Sequence, residues 1–300
     1  MYKINAIDTT KVTSVNKYTV ADEGVVTATG IAYLSSGTNS IYSKSGLYQE
    51  KDDEGDAYYF RGKIDNNFVS FANQKWRIVR INGDGSIRLK LYNYTDINVF
   101  NSEGLKEKYA GYTYDNDHIC TKENPCLTTT GTNSTIKASI EAWYNSKLSE
   151  YDDKIVLGSF CNDTSNIVEN NMKIYGAQTR LKNNNPTLDC PNTTENYGGF
   201  YKLKVGLLSV DEYNYAGLSE IRATERSNFI YSHYGIYTKT LSPYNYDMTN
   251  EITKMYSLQN TLIFSSKPTA MYYHYPVINL KSDIQITGGD GTESNPYVVE

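Results

Sequence analysis

The sequence predicts an α+β fold, an antiparallel sheet with two flanking helices. Two observations carry that expectation. Short runs rich in β-branched and aromatic residues are separated by turns made of Gly, Asn and Asp. Helical signals are confined to two segments, one after Asn133 and one after Ser209. No repeat period points to a solenoid.

In chain order, residues 1–44 read as an N-terminal β extension or the tail of a preceding module. Within them, Lys17 to Val20 and Val25 to Leu34 flank the turn composition Ala21-Asp22-Glu23-Gly24, and residues 35–40 form a loop or linker. Residues 45–300 form a disulfide-braced α+β domain. It opens with Lys51 to Asp56 as a charged surface turn, Asp56 to Arg61 as a strand, and Phe68 to Phe71 as the next. Trp76 to Ile81 alternates, Asn82-Gly83-Asp84-Gly85 turns, and Ser86 to Tyr92 returns as its hairpin partner. Residues 93–133 show little periodicity and read as a long surface excursion. Ile136, Ile140, Trp143 and Leu148 then recur at helical spacing over 135–148, capped by Ser134 or Asn133, with Lys137 and Glu141 as an i,i+4 pair. Trp76 and Trp143 are both expected to be largely buried. Residues 163–200 read as loop-rich. A short strand over Lys204 to Ser209 precedes a shorter helix from Val210 to Gly217, with Ser209 and Glu212 as a capping box. Tyr231 to Tyr237 and Thr240 to Pro243 are aromatic strand or turn pieces. Pro276 to Leu280 is a core strand, and Gly288 to Gly291 turns before Tyr297 to Val299.

The composition narrows the function classes. Of 300 residues, 29 are Tyr and 30 are Asn, against 8 Phe and 2 Trp. So many aromatic side chains argue for an ordered chain. A formal charge of -5, with the two signs mixed, argues against a nucleic-acid partner, which selects a basic face. No apolar run approaches the length of a membrane span. The first residues, MYKINAIDTT, lack the apolar core of a signal peptide. The chain is therefore either cytosolic or an exported protein whose signal has been removed, and the cysteines favour export.

There are four cysteines, Cys120, Cys126, Cys161 and Cys190, none in a tight CxxC. Disulfides, free thiols and a metal site are the competing readings, and four cysteines allow three pairings. Nearness in sequence selects Cys120–Cys126 and Cys161–Cys190. Such bridges persist in an oxidising location outside the cytosol.

Chemistry is sparse at the level of motifs. The three histidines, His118, His233 and His274, lack a nucleophile elbow, an HExxH or a supporting Cys-His context. Asp52 to Asp56 has the composition of a calcium loop without its twelfth-position Glu, so a solvated turn is the stronger reading. Asp211 and Glu212 are adjacent and point apart, unlike the paired acids of a glycosidase. No catalytic residue, metal or cofactor is expected. What stands out is late aromatic abundance, and the candidate ligand-binding patch is Tyr244, Tyr246, Tyr272, Tyr273 and His274. Tyrosine supplies rigid contact area with a polar tip, which suits sugar hydroxyls or protein loops. The competing reading is that these rings fill a small core.

Several segments also carry a resemblance. YYFRG (58–62), WRIVRINGDGSIRL (76–89), FCND (160–163), LSVDE (208–212), TLSP (240–243), PVINLKSD (276–283) and GGDGTESNPYVV (288–299) occur in this order. They resemble an uncharacterised domain family of exported and cell-surface proteins of gut Firmicutes. The resemblance spans about residues 45–299 and implies an extracellular, surface-attached protein without naming an activity. A fainter likeness is to the C-type-lectin-like and formylglycine-generating-enzyme-like fold, resting on TLSP and the closing PVINL strand. Tyr237-Thr238-Lys239 and Tyr275 stand where relatives carry Trp and Arg, and the copper-binding cysteines of an oxidase are not identifiable, so the likeness implies a fold and no activity.

Together these readings lead to a non-catalytic surface recognition or adhesion module. Its partners are then a host or bacterial surface glycan or protein, with neighbouring surface modules beside it. A pilus or cell-wall subunit and an enzyme of unidentified class are the alternatives.

Overall fold

The computed structural model describes residues 47–183, 185–218, 228–230, 233, 235–260 and 262–299, together with the backbone of Gly46 and of four short strands before it. Those four strands are Tyr2–Lys3, Val12–Val15, Tyr18–Ala21 and Val26–Ala28, the last three forming an antiparallel meander. The linker at 35–40 and two of the late aromatic residues, Tyr231 and Tyr234, lie outside the described residues.

The protein is α+β, built on a curled, mainly antiparallel sheet. At its centre Gln74–Ile81 pairs with Ile87–Leu91 through the Asn82 to Gly85 loop. Val277–Leu280, buried along its whole length, adds next to Ile87–Leu91. On the other side Phe68–Phe71 pairs with Gln74–Ile81 through a two-residue turn in which Ala72 and Asn73 both have positive φ. Tyr297–Val299 then joins Phe68–Phe71 in parallel.

The two faces of this sheet differ. Trp76, Ile78, Leu89, Leu91 and Ile278 give one face an apolar core. On the other face Arg77, Arg80, Arg88, Lys90 and Asn279 are buried as well. A second layer covers these polar groups. It holds a five-stranded antiparallel sheet of Asn166–Glu169, Met172–Tyr175, Tyr237–Asp247, Ile252–Gln259 and Leu262–Ser266.

Helix α1, Thr135–Lys147, starts where its sequence predicts, with the Ser134 hydroxyl accepting from the Lys137 N–H. Its buried stripe is Ile136, Ile140 and Tyr144, continued by Leu148. Trp143 is only half-buried, contrary to expectation. It lies on the flank of that stripe and meets the fully buried Trp76 edge-on at 6.1 Å. Helix α2 is Gly176–Lys182, and helix α3, Val210–Tyr215, opens with the complete Ser209/Glu212 capping box.

Lys51 to Asp56 is a charged turn at the surface, with Lys51, Glu54 and Asp56 exposed, and forms the tip of a hairpin between Gly46–Asp52 and Gly55–Arg61. Its Asp52 is buried and accepts from the backbone of Glu54 and Gly83. Gly83 lies so close to this tip that a Cβ there would be 2.3 Å from the Gly55 nitrogen. Two local readings need correction. Residues 163–200 hold a hairpin, turned by Asn170 and Asn171 at positive φ, then α2 and the start of strand Gly199–Leu203. Residues 93–133 are not a surface excursion, because Phe100, Ala110 and Tyr112 are fully buried.

Both expected disulfides are present, Cys120–Cys126 and Cys161–Cys190, with Cα–Cα distances of 5.1 and 5.5 Å. The first closes a loop that hydrogen-bonds along Gly199–Leu203, through Phe200 N–H to Cys120 O and Lys202 N–H to Cys126 O. Among the described residues no helix is long and apolar enough to cross a membrane.

Candidate functional site

The five residues expected to form one binding patch do not lie together. Tyr244 and Tyr246 sit near the hairpin end of Tyr237–Asp247, where the Tyr244 ring packs edge-on against buried Tyr256 at 5.0 Å. Tyr272 and Tyr273 lie at the opposite end of the same strand, roughly 20 Å away at about 3.3 Å per residue. His274 is fully buried and neither ring nitrogen has a hydrogen-bond partner. Burial, with the Lys239 ammonium nearby, lowers its pKa to about 4. Consecutive residues of an extended chain point to opposite sides, so Tyr273 and His274 could not both face solvent.

Tyr272 and Tyr273 likewise point to opposite sides and enter two separate aromatic groups, Tyr272 with Tyr237 and Phe264, and Tyr273 with Tyr94 and His233, the second of which forms a small aromatic platform. Backbone hydrogen bonds tie 94–98 to 272–274, through Thr95 N–H to His274 O and a reciprocal Asn98/Tyr272 pair, and Tyr273 N–H donates to Tyr237 O. Tyr94 packs on Tyr273 at 4.2 Å, and Tyr237 stacks on Tyr272 at 5.2 Å. Tyr94 and Tyr237 are 39% and 37% exposed, and Ile97 and Met271 on the same segments are exposed too. Tyr94 and Tyr237 thus each keep about a third of their surface in solvent, one in each aromatic group. Tyr94 and Tyr237 were not singled out from the sequence; the signal for Tyr94 was its alternation with Tyr92 beyond the Ile87–Leu91 strand.

Beneath the platform His233 joins Tyr94 at 5.1 Å and Tyr92 at 5.5 Å, and lies 3.4 Å from the Tyr275 hydroxyl through Nδ1. A narrow cavity of about 20 Å³, room for about one water molecule, lies inward, lined by apolar groups such as Leu218, Ile236 and Leu258 and by Lys90, His233, Thr238, Asn260 and Tyr275. Lys90 rests its ammonium 3.7 Å over the Tyr275 ring. Burial, with Arg77 alongside, holds that ammonium well below its ordinary pKa. Burial and the Lys90 charge also lower the pKa of His233.

A second cleft is polar and narrow, with an open volume of about 20 Å³. Glu212 on α3 takes Arg88 at 2.6 Å and Arg80 at 3.0 Å, while its other oxygen accepts the Ser209 N–H. Burial opposes ionisation of Glu212, but these guanidiniums hold its carboxyl below the usual range. Arg180 on α2 grips Asp211 through two nitrogens at 2.9 Å and Asp163 at 2.6 Å. Asp211 and Glu212 thus point apart, each to different arginines. Asn82 links Arg80 to Asn279. At the rim, burial pushes the Asp53 carboxyl up to about 6 against the pull of the Cys190 N–H and Lys122. Arg80, Arg88, Asp163, Glu212, Ser242 and Asn279 come from the separate resemblance segments, so those segments meet in one interlocked polar frame.

The metal reading of the cysteines also has a local counterpart, since His118 lies with Cys120 and Cys126, all three within 4.8 Å. The two sulfurs are bonded to each other, which leaves neither free to ligate. Comparison with known proteins adds nothing to this geometry: no family model, no curated protein and no solved structure matches the chain.

Proposed function

We propose that this chain is an exported bacterial surface module that recognises glycans, without catalysis, through the platform of Tyr94 and Tyr273. The observation that carries the reading is the exposed Tyr94 ring packed on Tyr273 and His233, with Ile97 exposed on the same segment. Ring faces of this kind stack on the apolar faces of sugars, and phenol hydroxyls exchange hydrogen bonds with sugar hydroxyls. The two disulfides fit an oxidising, extracytosolic location. Attachment to the cell surface belongs to the same proposal and draws on the resemblance of the ordered segments.

A structural role in a pilus or wall assembly is favoured by a different observation. Asn166–Glu169 is an edge strand of the five-stranded sheet, and its Ile167 and Val168 are 49% and 58% exposed. Exposed edges of this type pair with neighbouring chains. A glycan array with the purified protein separates the two readings. Binding lost in Tyr94→Ala/Tyr273→Ala, with the far-ultraviolet spectrum unchanged, supports the platform. Absence of glycan binding, together with head-to-tail polymers broken by Val168→Lys, supports the edge.

A further inference from the structure

Where α1 begins, three side chains close a ring. The Lys137 ammonium donates to Glu141 Oε1 at 2.7 Å and to Asn133 Oδ1 at 2.9 Å, and Asn133 Nδ2 donates to Glu141 Oε2 at 3.1 Å. The Lys137 side chain is wholly removed from solvent, and the Thr128 carbonyl fixes its Nζ at 3.0 Å. Nearby, the buried Tyr112 hydroxyl has no hydrogen-bond partner. A surface i,i+4 ion pair needs only lysine and glutamate. Here the carboxylate bridges an amine and a carboxamide, and so holds both reacting partners of an amide exchange together in a partly buried site.

We propose that Lys137 and Asn133 form an intramolecular isopeptide bond, with Glu141 as the proton carrier. Burial lowers the pKa of Lys137, which eases loss of its proton to Glu141. The neutral Nζ attacks Cγ of Asn133, the Glu141 carboxyl gives the first proton to the departing Nδ2, and the carboxylate so regenerated takes the second proton that Nζ sheds as it becomes an amide nitrogen. The Nζ–Cγ bond forms, the Cγ–Nδ2 bond breaks, and one ammonia leaves. No oxidant, metal or cofactor takes part. The product ties the Ser134-capped first turn of α1 to the segment entering it.

Intact mass of the folded, disulfide-reduced protein tests this directly. The expected mass falls short of the sequence by one ammonia, and peptide mapping finds residues 133 and 137 joined with no tryptic cleavage after Lys137. Glu141→Gln and Asn133→Ala each restore the mass expected for an uncrosslinked chain. Wild-type protein at full mass after prolonged incubation overturns the proposal. So does a shortfall that persists in Asn133→Ala, or one mapped to Asn82-Gly83, where succinimide formation also expels ammonia.

Discussion

Arg88 and Lys90 stand two residues apart on one strand and face the same side of the sheet, both almost wholly buried. Arg88 meets Glu212 and shares it with Arg80, so its charge is matched inside the protein. Lys90 lies over the Tyr275 ring at the floor of an aromatic cavity, with its charged form disfavoured. The same layer of the fold is therefore an ionic lock at one end and an aromatic, weakly polar chamber at the other. A lock of mutually satisfied charges orders the domain. The chamber itself has room for about one water molecule, and it is the exposed Tyr94 above it that leaves surface for a ligand. The comparison assigns stability to the first region and recognition to the second.

Changes in the lock are expected to cost most. Glu212→Gln leaves the buried Arg88 guanidinium without its carboxylate and Arg80 with Asp52 alone, and should lower stability by about 3–5 kcal/mol in urea titration. Removing the neighbouring bridge by Cys161→Ala/Cys190→Ala should cost roughly 2–4 kcal/mol. In the wild-type protein, alkylation without reductant should label no thiol, since all four cysteines are paired.

Lys239, on the Tyr272 side, gives the opposite sign. It is buried, donates to Ser266 and to the Lys267 carbonyl, and lies 4.6 Å over the Tyr272 ring. Burial lowers its pKa to about 7. Because its folded pKa is depressed, keeping it costs most below pH 7, and that cost fades as pH rises towards the unfolded value. Lys239→Met should therefore stabilise the protein by roughly 1–3 kcal/mol at neutral pH, net of the hydrogen bonds lost. The gain should shrink between pH 7 and pH 10.5.

A smaller, pH-dependent effect comes from His274. Its folded pKa of about 4 lies below the ordinary 6.5, so the unfolded chain binds the proton first and stability falls as pH drops through that interval. The loss amounts to at most about 3 kcal/mol. Asp53 acts with opposite sign over an overlapping range, because its raised pKa lets the folded state take up a proton first, between about 6 and 3.8. The wild-type profile mixes the two. The difference between wild type and His274→Phe isolates the histidine, and that variant should be the less sensitive to acid.

Legibility in the sequence followed the range of the interactions. The Trp76 to Leu91 hairpin, the Ser134 cap and the Ser209/Glu212 box depend on neighbours a few residues away, and all are found. The disulfides were legible because each joins cysteines close in the chain. Helix α2 was hidden because Tyr175, at its N-cap, provides no capping side chain. The Asn170-Asn171 turn was readable from residues that tolerate positive φ, but its strand Asn166–Glu169 is a polar, exposed edge with little hydrophobic signature. The buried cationic face escaped for another reason. Alternating Arg and Lys in a strand normally means a solvent face, and only the second layer, brought from residues 160–275, turns it into an interior. The tyrosines posed the same difficulty. Composition announces recognition, but strand pairing decides that Tyr94 and Tyr237, not Tyr244 and Tyr246, stand beside Tyr272 and Tyr273.

The division between lock and platform is tested most directly by glycan-array binding of wild type and Tyr94→Ala/Tyr273→Ala, with urea unfolding measured on the same samples. Tyr94 is exposed and Tyr273 half-exposed, so the double variant should unfold within roughly 1 kcal/mol of wild type. The account predicts that its glycan binding is nevertheless lost. Glycan binding that survives the double variant at wild-type strength, or a wild type that binds no glycan at all, would contradict it.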